Sequence, residues 1–196
     1  MTTLNKKSLF IGLGGAGISI LTSPAAHQLD RLLLNTDTTH SASLNNFLQL
    51  GPTLLNGHCA GGYMFGIKAI DESIDEIIDR IGTATAIIIV AGFAGGTGGA
   101  APYLAEKMIA KGLQVSLMLC MPLFFEKEIS SYDKRMIQLK KVRPRLESCN
   151  LVSDFEGLDR DQRMGLGEYI GNINEATALN ICHLYSPACA HGNLPC

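Results

Sequence analysis

Apolar residues along this chain follow two rhythms. Four runs lack regular polar alternation: SLFIGL at Ser8 to Leu13, RLLL at Arg31 to Leu34, IIIV at Ile87 to Val90 and LQVSLMLCM at Leu113 to Met121. Such runs predict strands buried on both faces, as in a parallel sheet. Leu151-Val152 predicts one more short strand. Between the runs the spacing turns helical. Ile67, Ile70, Ile74, Ile77, Ile78 and Ile81 form one stripe with acids between them, closed by Gly82. LAEKMIAKG after Tyr103 predicts a second helix ended by Gly112, and THSASLNNFL predicts another after Asp37. Ile129, Met136, Leu139 and Val142 make a broken stripe that Pro144 interrupts. A last helix is predicted over Leu166 to Tyr185, burying Tyr169, Ile173, Ala176, Leu179, Ile181 and Leu184. Strands alternating with helices predict a three-layer α/β domain with a mostly parallel sheet.

Glycine clusters stand where strands give way to helices. GLGGAGIS follows the first run, and its G-x-G-G-x-G spacing resembles a dinucleotide fingerprint, with a helix opening near Ile18. The same spacing also serves a plain tight turn. AGFAGGTGGAAP follows the third run. Strand, glycine loop and helix build an anion cradle, because backbone N–H groups can approach a phosphate unobstructed and the helix start offers unsatisfied donors. No GK[ST] follows, so this is not a Walker A loop, and amides with the Thr97 hydroxyl must hold the phosphate. A third cluster, GHCAGGYMFG, spans Gly57 to Gly66; it can touch a terminal phosphate or be a mobile loop. Asn35, Thr36 and Asp37 follow the second run. Asn35 and Asp37 suit a ribose or, through water, a Mg²⁺ shell at a strand end, while all three equally suit turn and N-cap chemistry. Loops that all follow strands or precede helices can share one crevice, and their coincidence predicts nucleotide binding.

Composition narrows the class. The 196 residues are 46% hydrophobic and 17% charged, which fits a globular chain with a sizeable core. A net charge of −2 carries no basic excess, which argues against nucleic acid as a partner. The apolar runs are too short for a membrane span. Lys6 and Lys7 precede an apolar run that turns to glycine after about six residues, shorter than a signal-peptide core. The expectation is a cytoplasmic protein with one domain over residues 1–185 and a short tail over 186–196. Six cysteines without a CxxC pair are expected as free thiols. Cys182, His183, Cys189, His191 and Cys196 crowd the last stretch, where a metal site and an unstructured tail both remain open.

With these motifs in place, the chain resembles the nucleotide-binding domain of FtsZ, the bacterial relative of tubulin. IGLGGAGIS is similar to that family's first phosphate loop, LNTD to its VNTD, and GHCAGG to the loop that senses the terminal phosphate. AGFAGGTGGAAP resembles the tubulin signature AGMGGGTGTGAAP, and MPLFFE resembles TKPFxFE. The likeness covers about residues 7 to 185 and implies a Rossmann-like fold of the FtsZ/tubulin type. It implies bound GTP or GDP, with Mg²⁺ as a possible companion. It further implies phosphate contacts at Gly14, Gly15, Ala16, Ser19, Gly95, Gly96, Thr97 and Gly98, with Ala60 and Gly61 facing the γ-phosphate. Asn35 and Asp37 would lie near metal and phosphates, and Glu126 would match a ribose-binding glutamate. Asp154 falls where the family reads guanine with Asn. Tyr169 would stack on the base, and Asn172 or Asn174 would stand for the base-reading Asp.

The resemblance also exposes departures. The signature loop is one residue short, with Gly99 where the family has Thr-Gly, and Tyr63, Met64 and Phe65 replace Asn-Pro-Glu. Ser130 stands near an expected ribose-contacting Arg. Acid and amide are exchanged at both base-reading positions, although a carboxylate still accepts from guanine N1 and N2. The family's activation domain and its N-x-D-x-x-D catalytic loop are absent from the sequence, and no acid follows Glu175. The resemblance therefore implies a guanine-nucleotide-binding protein that hydrolyses GTP poorly alone. It would act through assembly with itself, or by capping a full-length FtsZ-like filament. Open alternatives are a GTPase completed by a partner's acids or by Asp159, Asp161 or Glu168, and a degenerate domain that binds nothing. A dinucleotide-dependent oxidoreductase, read from GLGGAG and Asp37 alone, fits the further glycine loops poorly.

Overall fold

The computed structural model describes residues 7–39, 41–122, 131–152 and 166–185. Strands β1 (Ser8–Leu13), β2 (Arg31–Asn35), β3 (Phe47–Gln49), β4 (Ala86–Gly92), β5 (Gln114–Cys120) and β6 (Ser148–Val152) form one sheet, ordered β3-β2-β1-β4-β5-β6. Every neighbouring pair is parallel. Helices α1 (Gly14–Leu21), α2 (Pro52–Leu55), α3 (Tyr63–Ile81), α4 (Ala101–Ala110), α5 (Tyr132–Val142) and α6 (Leu166–Tyr185) connect and cover it.

The unbroken apolar runs explain the layering. Successive strand side chains alternate faces, so a run of isoleucines feeds two cores at once. Ile87 and Ile89 of β4 join Leu9 and Ile11 of β1 on the face covered by α3, α4 and α5. Ile88 and Val90 join Phe10 on the face covered by α1 and α6. The α3 stripe contributes Ile70, Ile77 and Ile81 to the first core, as its spacing predicts. Each buried Ile or Leu contributes about 1.5–3 kcal/mol relative to exposure.

The strand order reverses between β1 and β4, which pair from Ser8↔Ala86 to Leu13↔Ala91. β1 continues to β2 on one side, whereas β4 continues to β5 on the other. The carboxyl ends of these strands therefore open a crevice at the switch point.

Two local expectations are corrected, for THSASLNNFL and for the last helix. The described residues of THSASLNNFL form no helix: Ser41 and Ala42 N–H groups turn back on the Thr38 carbonyl, Asn46 takes φ 62°, and Phe47–Gln49 is strand β3. Asn tolerates that left-handed conformation, which ends any helix and lets Phe47 and Leu48 pair with β2. The loop after Gly51 contains a turn of helix, α2, whose first amides are held by Glu72 Oε1 on Thr53 N (2.7 Å) and Oε2 on Leu54 N (3.1 Å). In α6 the face that packs on α1 is Thr177, Ala178, Ile181 and Cys182, while Ala176, Leu179 and Leu184 are exposed and Tyr169 and Ile173 only partly covered. Ile181 is buried as expected, whereas the rest of the contact falls to the smaller Thr177, Ala178 and Cys182, which the apolar spacing does not pick out.

Candidate nucleotide site

A cavity of about 410 Å³ opens at the switch point. Its rim collects the carboxyl-terminal residue of five strands: Leu13 of β1, Asn35 of β2, Gly92 of β4, Cys120 of β5 and Val152 of β6. That is the location at which open parallel sheets bind ligands.

One side of the cavity is backbone. Gly14, Gly15 and Ala16 form the first turn of α1, which begins at Gly14 and not at Ile18. The N–H groups of that first turn have no partner within the helix, and no side chain caps them. Gly14 has φ +73°, and a Cβ there would stand 2.9 Å from Gly98 N, so the turn requires glycine. Facing it, Gly95, Gly96, Thr97 and Gly98 line the cavity and lead through a 3₁₀ turn into α4. Gly96 is wedged against the third glycine cluster: an added Cβ would lie 1.9 Å from the Ala60 carbonyl oxygen. Gly66 is likewise pressed on Gly96, with a hypothetical Cβ 2.2 Å from its carbonyl oxygen. The second and third glycine loops are therefore in backbone contact. Gly15 and Gly95 differ. A Cβ at Gly15 would meet nothing within 4 Å, and one at Gly95 would only reach Gly98 N at 4.0 Å. The fold does not require glycine there, whereas a phosphate brought against the amides would.

Thr36 joins the loops from below. Its fully buried hydroxyl accepts a hydrogen bond from Ala60 N (3.0 Å) and lies 3.1 Å from the Thr97 hydroxyl. Asn35 and Asp37 flank it on the cavity wall. The turn chemistry is present, with Asn35 Oδ1 accepting from Thr36 N (2.9 Å) and Asp37 Oδ1 from Thr39 N (2.8 Å), and both residues also line the cavity. Among the described residues that line the cavity, Asp37 is the only carboxylate.

The opposite side is apolar and was not foreseen. Cys120 and Met121 come from the end of β5, Val152 from β6, and Ile170 and Ile173 from the start of α6. Burial pushes the Cys120 thiol up to about 11 against the pull of a hydrogen bond with Thr177, so it presents a neutral wall. A flat apolar ring fits between such side chains. Asn174 stands at this end, and its Nδ2 donates to Ser19 Oγ at 2.9 Å. That bond ties α6 to α1 and leaves the amide oxygen as Asn174's acceptor.

Of the sequence-derived site residues, Gly14, Gly15, Ala16, Asn35, Asp37, Ala60, Gly95, Gly96, Thr97, Gly98 and Asn174 line this one cavity. Ser19 reaches it through Asn174. Gly61 is exposed beside Ala60, and Tyr169 and Asn172 lie on α6 off the cavity wall. Glu126 and Asp154 lie outside the described residues, as do Asp159 and Asp161. Thr36 was seen only as turn chemistry, and Cys59, Cys120, Met121, Val152, Ile170 and Ile173 were missed as lining residues. Position at a strand end was the available signal for Cys120 and Val152. Among the described residues no cluster of three or more His, Cys, Asp or Glu could hold a metal, and no helix is long and apolar enough to cross a membrane.

Comparison with known proteins bears on the family and the fold. The chain is 35% identical over 133 residues to "Cell division protein FtsZ 2" of Rhizobium meliloti, covering 64% of this chain and 38% of that protein. It is 29% identical over 170 residues to "Mitochondrial division protein fszA" of Dictyostelium discoideum, covering 82% of this chain and 32% of that protein. The chain thus spans well under half the length of these relatives. Its fold matches CetZ2 from Haloferax volcanii, solved as a GTPγS-bound protofilament, with TM-score 0.75 and 25% identity over 91% of this chain and 57% of that one. The empty FtsZ dimer of M. jannaschii matches with TM-score 0.76 at 22% identity, over 90% and 53% of the two chains. Residues 7–156 match the family described as "Tubulin/FtsZ family, GTPase domain", and the chain belongs to that family.

Proposed function

We propose that this chain binds a guanine nucleotide, GTP or GDP, hydrolyses it weakly or not at all alone, and acts in the cytoplasm through assembly. Its partners are copies of itself or a full-length FtsZ-like filament that it caps or regulates. The observation that carries the binding half is the pair Gly15 and Gly95, open glycines from two different loops that line one cavity at the switch point. Amides of the first turn of α1 and of the Gly95–Gly98 loop would hold the phosphates, and the apolar slot with Asn174 would hold the base. Were Mg²⁺ to accompany the nucleotide, Asp37 is the described carboxylate that would help hold it and the cation would offset phosphate charge, since one carboxylate alone does not make a closed metal shell.

The same inventory supports the reading of slow hydrolysis. An attacking water needs a group to orient it and take its proton. Asp37 sits in the Asx turn at the β2 end and is the sole described carboxylate on the cavity wall. A second reading, a GTPase completed by acids of a neighbouring subunit, draws on the GTPγS-bound protofilament among the matching structures.

Three measurements decide between them. Nucleotide released from denatured protein should be guanine; adenine or none overturns the base assignment or binding itself. Phosphate release from GTP should be near background for the isolated chain, and strong release would reject the weak-hydrolysis half. Mixing with a full-length FtsZ from the same source should change polymer length or turnover; unchanged assembly removes capping.

A further inference from the structure

Arg135 on α5 is 2% exposed, and nothing in the site assignment above uses it. Its Nη1 donates to the Phe93 carbonyl at 2.6 Å and also to the Ala94 carbonyl. Its guanidinium stacks 5.7 Å from the centre of the Tyr63 ring, the first residue of α3. It also fills the space above Gly99: a Cβ on Gly99 would stand 2.8 Å from Arg135 Cζ. One planar cation thus touches the entry of the second glycine loop, its exit, and the helix that follows the third.

We propose that Arg135 is a positioning residue for phosphate binding: from behind the loop, it turns the Phe93 and Ala94 carbonyls inward so that the following amides face the cavity. The reason is peptide geometry. In a trans peptide the C=O and the next N–H point to opposite sides. Holding the Phe93 and Ala94 carbonyls against the guanidinium directs the N–H groups of Ala94 and Gly95 the other way. The Gly95 carbonyl is held in turn by Gly99 N at 2.9 Å, which directs the Gly96 N–H outward as well. Ala94, Gly95 and Gly96 all line the cavity. Successive amides aimed at one side form an anion nest, and a buried cation behind them adds attraction for a phosphate. Arg suits this task better than Lys, because the two N–H bonds of Nη1 are fixed in the guanidinium plane and can hold two carbonyls while that plane lies over an aromatic ring. In the shortened signature loop the guanidinium also occupies the volume that a side chain at position 99 would need.

This inference rests on the nucleotide-binding reading, and the experiment separates the two. Affinities for GDP and for guanosine are measured for wild type and Arg135→Met, together with amide hydrogen exchange of the ligand-free proteins. Loss of loop positioning should weaken GDP binding about tenfold or more while guanosine, which lacks phosphates, binds nearly as before. The amides of Gly99 and Ala100, which bond the Gly95 and Thr97 carbonyls within the loop, should exchange faster in Arg135→Met, with those of β4 unchanged, and Arg135→Lys should restore only part of the GDP affinity. Equal losses for GDP and guanosine, or loop exchange that does not change, would reduce Arg135 to core packing and overturn the proposal. Should Arg135→Met not fold, Gly99→Ala, which displaces the guanidinium while retaining its charge, should give the same asymmetric loss. If wild type binds neither ligand, the nucleotide reading fails, and the ligand-free exchange still accepts or rejects the role of Arg135 in shaping the loop.

Discussion

The Thr36 and Thr97 hydroxyls lie 3.1 Å apart in the buried floor of the cavity, although 61 residues separate them in sequence. Thr36 Oγ1 already accepts the Ala60 amide, so its own proton is available to Thr97. In that arrangement the Thr97 proton is left to point into the cavity. Thr36→Val keeps the shape, removes the acceptor and strands the Ala60 N–H. The expected cost is about 1–3 kcal/mol of unfolding free energy, read from urea denaturation, with weaker nucleotide binding. A stability change below that range would mean that water replaces the lost acceptor.

Two glycine substitutions should behave oppositely. Gly96→Ala forces a Cβ to within 1.9 Å of the Ala60 carbonyl and should lower stability and binding together. Gly15→Ala meets nothing within 4 Å and sits in a helix, where Ala is favoured by roughly 0.5–1 kcal/mol. It should therefore melt at or above the wild-type temperature while losing nucleotide affinity. A Gly15→Ala protein that binds normally would mean that the phosphate does not sit against this turn.

The two cavity thiols offer a chemical test. Cys59 is exposed and Cys120 partly covered, and burial holds Cys120 at about 11 instead of 9.0. At pH 8 an alkylating agent should modify Cys59 and spare Cys120, and bound nucleotide should slow the reaction at Cys59.

The raised Cys120 value also sets an alkaline limit. Between pH 9.0 and about 11 the unfolded chain releases a proton that the folded chain retains. Stability fully present below the unfolded value is therefore lost as pH rises through that window. From pH 8 to pH 10 wild type should lose roughly 1 kcal/mol more than Cys120→Ala, measured as the difference in denaturation free energy. Parallel curves for the two proteins would contradict the burial argument.

Base preference can be tuned at Asn174. With Nδ2 committed to Ser19, its amide offers one acceptor to a base that presents two adjacent donors. Asn174→Asp supplies two acceptors. It should raise the preference for GDP over IDP, which lacks the 2-amino group, by roughly fivefold, about 1 kcal/mol. An unchanged GDP-to-IDP ratio would place the base elsewhere.

The legibility of this site in the sequence followed its chemistry. Backbone cradles were readable because glycine at strand-to-helix junctions states a steric requirement directly, and Gly14, Gly96 and Gly98 all line the cavity. The parallel, doubly covered sheet was readable because unbroken runs such as IIIV must be covered on both faces, whereas the order of its strands was not. Thr36 was not, since its role depends on Ala60 and Thr97 arriving from other elements. The apolar wall was equally hidden: Cys120, Val152 and Ile170 look like ordinary core residues until strand ends and α6 converge. β3 was lost because three residues after a left-handed Asn carry too little periodicity to oppose a helical reading.

The contrast between wedged Gly96 and open Gly15 and Gly95 has a meaning on evolutionary time. Gly96 is under selection for as long as the domain folds, because any side chain there would drive the Ala60 backbone away. Positions 15 and 95 answer only to the ligand. A lineage that had abandoned nucleotide would therefore drift at those two positions while preserving Gly96, and a set of orthologues that keeps glycine at all three would record a site still in use.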